Sequence, residues 1–181
     1  MNEILWYLTR ATGIVATVLA VAALSWGFLF SARATGNRRR PNWWLDLHNW
    51  LGGSTLAFTG AHVLCSFLQS DSSIGVRQVF VPSMSSSDDV SLAWGVVAMY
   101  LFAIAVFTSW PKRRFPRDVW RWIHLGSVFG TGLALLHGYR MGTDAGGLIA
   151  KAALVILVGV GMYPLGLRLF GAISKRSARS A

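Results

Sequence analysis

The chain has 181 residues, of which 54% are hydrophobic and only 13% charged, and its mean hydropathy is +0.48. A soluble domain carries about a quarter charged residues, so this composition excludes an ordinary soluble domain and fits a chain lying mostly in hydrocarbon, where an unpaired charge is costly. The net charge of +10 does not argue for nucleic acid, because the basic residues fall in short clusters between apolar runs, as they do in cytoplasmic membrane loops.

Crossing a bilayer core takes about 20 apolar residues. In chain order, such runs cover 4–30, 43–68, 90–110, 119–139 and 148–170, which predicts an all-α, polytopic bundle of five transmembrane helices in contact with lipid. The first run is too long for a secretory leader, and Glu3 stands where such a leader would be basic, so the reading retains it. Arg38, Arg39, Arg40 and Pro41 end the first hairpin, and 111–116 ends the second; Pro is tolerated where a helix starts. The polar segment 69–89 is rich in Ser and acidic residues, and within it 76–81 is apolar enough to lie on the membrane surface. The fifth run passes into Lys175, Arg176 and Arg179, giving a transmembrane domain over 1–174 and a basic tail over 175–181. There is no repeat at a fixed period. Cys65 is the sole cysteine, which excludes an internal disulfide and a cysteine-ligated cluster.

Charge orients the bundle. Arg33, Arg38 to Arg40, Lys112 to Arg114, Arg117, Arg121 and the tail lie on one side; Asp71, Asp88, Asp89 and Asp144 lie on the other with Arg77 and Arg140. The positive-inside rule then puts the N-terminus outside and the C-terminus in the cytoplasm, as five crossings require, in a bacterial cytoplasmic membrane. Nine Trp suit the two interfaces, and Trp43, Trp44, Trp120 and Trp122 read as an interface belt.

The four histidines, His48, His62, His124 and His137, all fall within spans, two on the second and two on the fourth. An ionisable residue inside a membrane helix is a functional candidate. His48 and His62 are 14 apart, and His124 and His137 are 13 apart, so each pair spans about 20 Å of helix. The two helices run parallel, which sets His48 level with His124 near the cytoplasm and His62 level with His137 near the outside. Two imidazoles per level make a bis-histidine haem ligand set, twice over. A zinc site would want four ligands at one point, which levels so far apart do not offer. Thirteen residues leave the second pair about 140° apart on an ideal helix, so either the two sites are approached from different directions or the fourth helix is distorted. Gly52, Gly53, Gly60, Gly126, Gly130 and Gly132 lie between the ligands; they would admit either a flat macrocycle or a close helix neighbour.

With its paired histidines, the opening 5–13 (Leu-Trp-Tyr-Leu-Thr-Arg-Ala-Thr-Gly), Leu47-His48, Ala61-His62-Val63, Trp122-Ile123-His124 and Leu136-His137-Gly138, the chain resembles the ferric reductase-like transmembrane family. That family includes the membrane parts of NADPH oxidases and the haem subunit of the bacterial methionine sulfoxide reductase system. The resemblance implies two b-type haems, one on His48 and His124 and one on His62 and His137. Larger members add a sixth core helix and a flavin and nicotinamide module. No glycine-rich nucleotide motif follows a strand here, so this chain is expected to hold no flavin or nicotinamide site and to be an electron-transfer component rather than a complete reductase.

The expected direction is from a cytoplasmic donor or quinol, through the inner and then the outer haem, to an extracytoplasmic acceptor such as ferric iron, a flavoprotein or an oxidised protein. Arg117 and Arg121 are the candidate cations for the inner haem's propionates and Arg140 for the outer haem's; Arg10, beside Thr9 and Thr12, either serves the outer propionates or snorkels. Two other readings stay open: a haem-bearing anchor that exchanges electrons with quinone for a larger complex, and a non-redox haem-binding role.

Overall fold

The computed structural model describes residues 2–32, 42–69, 76–83, 87–109, 115–142 and 145–180. Among them the chain is helical without strands: α1 (Asn2–Ala32), α2 (Trp43–Leu68), α3 (Val76–Phe80), α4 (Ser87–Ser109), α5 (Arg117–Met141) and α6 (Leu148–Ser180). The basic connections with Arg33, Arg38 to Arg40 and Lys112 to Arg114, and the positions of Asp71 and Asp144, lie outside the described residues.

Among the described residues, four helices are long and apolar enough to cross a membrane: Glu3–Ser31, Trp43–Leu68, Val90–Ser109 and Leu148–Gly171. The chain is a multi-pass membrane protein. α5 has the length, at 25 residues, but is less apolar because it carries Arg117, Asp118, Arg121, His124, His137 and Arg140. α6 runs on to Ser180.

The bundle is apolar on the outside and small-residue on the inside. Phe107, Phe129, Ile149 and Phe170 are exposed, while Ala16, Ala20, Ala93, Ala98 and Ala105 are buried between helices. Hydrocarbon is as apolar as Leu, so membrane helices gain more by close approach than by hiding apolar bulk. α1 and α2 form one antiparallel hairpin, α4 and α5 a second, and packing within each is far more extensive than between them. At mid-depth the hairpins meet through Ala20, Ala98 and Phe102, backed by Leu56, Leu133 and Ala134.

α6 docks on α1. Pro164 lies inside α6 and has no N–H for the carbonyl four residues back. That carbonyl, Val160's, instead accepts from the Ser25 hydroxyl of α1 at 3.0 Å. The same deficit that would kink a lone helix thus ties α6 to the bundle. Short α3 lies against α2 and α4, with Val79 buried and the Phe80 carbonyl accepting from the Tyr100 hydroxyl at 2.7 Å.

Candidate functional site

Parallel α2 and α5 bring the histidines together in two pairs. The rings of His48 and His124 are 5.8 Å apart centre to centre at an interplanar angle of 67°. Those of His62 and His137 are 6.2 Å apart at 81°. α5 is helical from Arg117 to Met141, so no break in the helix lies between its two histidines.

The histidines are held from behind. His48 Nδ1 donates to the Ala23 carbonyl at 3.1 Å and His62 Nδ1 to the Thr9 carbonyl at 2.8 Å, both on α1. His137 Nδ1 donates to the Ser91 carbonyl of α4 at 2.9 Å. A carbonyl only accepts, so each of these Nδ1 atoms carries the proton and Nε2 keeps a free lone pair. Beside each carbonyl, four residues on, stands a glycine under the ring. A Cβ at Gly13 would lie 2.8 Å from His62 Nδ1, at Gly27 3.1 Å from His48 Cε1, and at Gly95 2.9 Å from His137 Nδ1 and Cε1.

These supports repeat. Thr9, Gly13, Ala23 and Gly27 of α1 stand 82 residues before Ser91, Gly95, Ala105 and Ser109 of α4. His48 and the buried Thr55 precede His124 and the buried Thr131 by 76. The two hairpins are thus a structural duplication with the histidine pairs between them. It is not a repeat at one fixed period, because the offset is 82 for the supports but 76 for His48 and Thr55.

The geometry fits a metal held from both sides. A ligating imidazole nitrogen sits about 2 Å from its metal and its ring centre about 1 Å behind, so two opposed rings have centres about 6 Å apart. Both pairs meet that value with Nδ1 already engaged and, among the described residues, Nε2 without a hydrogen bond. Backing of this kind orients a ligand and raises its basicity. Among the described residues no three His, Cys, Asp or Glu side chains converge, so ligands come two to a level, as a macrocyclic metal needs. The buried Thr9 Oγ1 has no hydrogen-bond partner among the described residues, leaving a donor beside His62's support.

The other candidates divide. Arg117, Arg121 and Arg140 are exposed on α5, each a few residues from a histidine and none shown touching one. Arg10 lies 4.5 Å over the Trp6 ring. Gly126 and Gly130 pack against Leu101 and Phe102 of α4, and Gly52 lies against Val106, so these three serve close packing. A Cβ at Gly53, Gly60 or Gly132 would meet nothing within 4 Å; Gly60 lies about 160° around α2 from His62, away from the ring. Trp120 stacks on His124 at 5.0 Å and 19°, while Trp122 is 76% exposed. Sequence reasoning did not identify the carbonyl supports or Gly13, Gly27 and Gly95; their 14-residue echo of the histidine spacing is the one signal that points to them.

Residues 10–135 match the family described as ferric reductase like transmembrane component. The match runs from the second quarter of α1 through most of α5, with three of the histidines, and stops two residues before His137. No curated protein and no solved structure matches the chain.

Proposed function

The chain belongs to the ferric reductase-like transmembrane family, which carries a transmembrane redox role, and from that premise we propose that it holds two b-type haems, an inner one on His48 and His124 and an outer one on His62 and His137. What carries this reading is the two facing ring pairs, each about 6 Å across with Nδ1 tied back. When bound, the haems supply reversible one-electron chemistry on each side of the membrane's mid-plane.

The chain's own residues place and insulate that chemistry. The α1 and α4 carbonyls fix ring orientation and leave Nε2 available. Phe102, Leu56 and Leu133 fill the interval between levels and keep water from it. Arg117 and Arg121, within about two turns of His124, offer cations for inner propionates; Arg140, three residues past His137, offers one for the outer. On this reading α5 is a fifth crossing and the N-terminus faces outward from a bacterial cytoplasmic membrane. A cytoplasmic donor or quinol is then the source, and ferric iron, a flavoprotein or an oxidised protein outside is the acceptor.

An apolar cleft of about 360 Å³ between α1, α5 and α6, lined by Val21, Leu24, Leu135, Leu154 and Leu157 among others, has the chemistry to take a lipid-soluble quinol as well as a lipid chain. Reduction of the membrane-embedded protein by quinol alone supports the quinol branch; reduction only by a cytoplasmic flavin reductase refutes it.

A pyridine haemochrome assay with a dithionite difference spectrum tests the central reading. Two b haems per chain are expected, falling to about one in His62→Ala or His137→Ala. A folded, haem-supplied protein without haem would refute it.

A further inference from the structure

The duplication supplies four supports for four histidines, and one of them is different. Thr9 with Gly13, Ala23 with Gly27, and Ser91 with Gly95 each present a carbonyl to Nδ1 and an empty place where a side chain would press on the ring. The same 82-residue offset assigns Ala105 and Ser109 to His124. In place of a fourth glycine there is a hydroxyl.

Ser109 Oγ donates to the Ala105 carbonyl at 2.6 Å, so its oxygen is left to accept. It accepts from Trp120 Nε1 at 3.3 Å and from His124 Nδ1 at 3.4 Å. That last contact is longer than the usual N–H to O range, goes to a neutral hydroxyl, and is shared with an indole. The Ala105 carbonyl is also within reach of His124 but already accepts from Ser109 Oγ at 2.6 Å, whereas the other three histidines give theirs to a carbonyl at 2.8 to 3.1 Å. A hydrogen bond from the distal N–H to a good acceptor raises a ligating imidazole's basicity. A weak one leaves it a poorer electron donor.

We propose that Ser109 is a positioning residue that makes His124 the weakest electron donor of the four histidines and so makes the inner haem easier to reduce than a fourth glycine would. The proposal rests on the dihaem reading. It adds that the inequality between the levels is built into one residue behind one ligand, with Trp120 held in place by the same hydroxyl.

The test is a mediated spectroelectrochemical titration of the full chain, preceded by the haemochrome count. Ser109→Gly removes the hydroxyl that competes for the Ala105 carbonyl and leaves that carbonyl to His124 Nδ1 alone. Its oxidised inner haem is then favoured about five- to tenfold, up to about 59 mV lower in midpoint for a one-electron couple. Ser109→Ala is expected to shift it in the same direction by less, and Ser109→Thr, which keeps the hydroxyl, to leave it in place. Repeating Ser109→Gly in a His62→Ala background, which keeps only the inner haem, must show the shift. Repeating it in a His48→Ala background, which keeps only the outer haem, must not. Should Ser109→Gly not retain the inner haem, Ser109→Ala decides. Unmoved midpoints in haem-replete Ser109→Gly and Ser109→Ala, an upward shift, or a shift confined to the outer haem would overturn the proposal while leaving the dihaem reading intact. Absence of haem from the unaltered protein would overturn both.

Discussion

Replacing Gly95 by Ala puts a methyl against the ring of His137. The new Cβ would stand 2.9 Å from both Nδ1 and Cε1 and 3.1 Å from Cγ. Ordinary contact begins near 3.4 Å, so the ring must retreat by about half an ångström. Metal–ligand distances tolerate about 0.2 Å, and the 2.9 Å bond to Ser91 would stretch beyond the usual range. Overpacking of this kind costs about 1–3 kcal/mol, and about 2 kcal/mol corresponds to a loss of about thirtyfold in outer-haem affinity. Gly27→Ala meets only one ring atom closer than 3.4 Å, at 3.1 Å, so the inner haem should be weakened less. Gly60→Ala, with nothing within 4 Å, should be neutral. Haemochrome counts at limiting haem, with circular dichroism to confirm helix, give the answer. Two tightly bound haems with unaltered spectra in Gly95→Ala, or equal losses in Gly60→Ala, would refute the steric argument.

Two further expectations concern the scaffold. Ser25→Ala leaves the Val160 carbonyl unpaired in hydrocarbon and should loosen α6 by about 0.6 kcal/mol, at most about 1.7; with Pro164→Ala, which restores a helical N–H, the loss should vanish. A double-mutant cycle in detergent or bicelle unfolding reads that coupling, and additive effects would contradict it. Tyr100→Phe removes the bond to Phe80 and should speed hydrogen exchange over 76–81 while leaving haem content unchanged.

How much the sequence disclosed depended on whether side chains or backbone carried the signal. α2 occupies the span read from hydropathy, Trp43–Leu68, because an apolar run between polar connections has few alternatives. The histidine levels followed from rise per residue and parallel direction alone. The apolar stretch 76–81 was legible but its helix, α3, was not: five residues are too few for periodicity, and the Phe80 carbonyl is held by Tyr100, twenty residues on. α5 was read as a span on its apolar majority, yet its charges and histidines lower its hydropathy below that of its neighbours. The supports behind the histidines were least visible, since Thr9, Ala23 and Ser91 contribute main-chain oxygen, which any residue type supplies. Nothing in the sequence sets Trp120 apart from the other tryptophans, because its stacking on His124 is a matter of ring orientation.

The duplication makes assembly and cofactor supply one event. Each hairpin contributes one histidine to each level, so neither half completes a site, while direct packing between the halves is thin. On the dihaem reading the cofactors act as two rivets through a seam. A ligand that binds only the joined state stabilises it by about 2.7 kcal/mol when present at a hundred times its Kd. A cell short of haem would then hold two inserted but separable hairpins, open to membrane proteases, and the amount of mature protein would follow haem availability without any dedicated sensor.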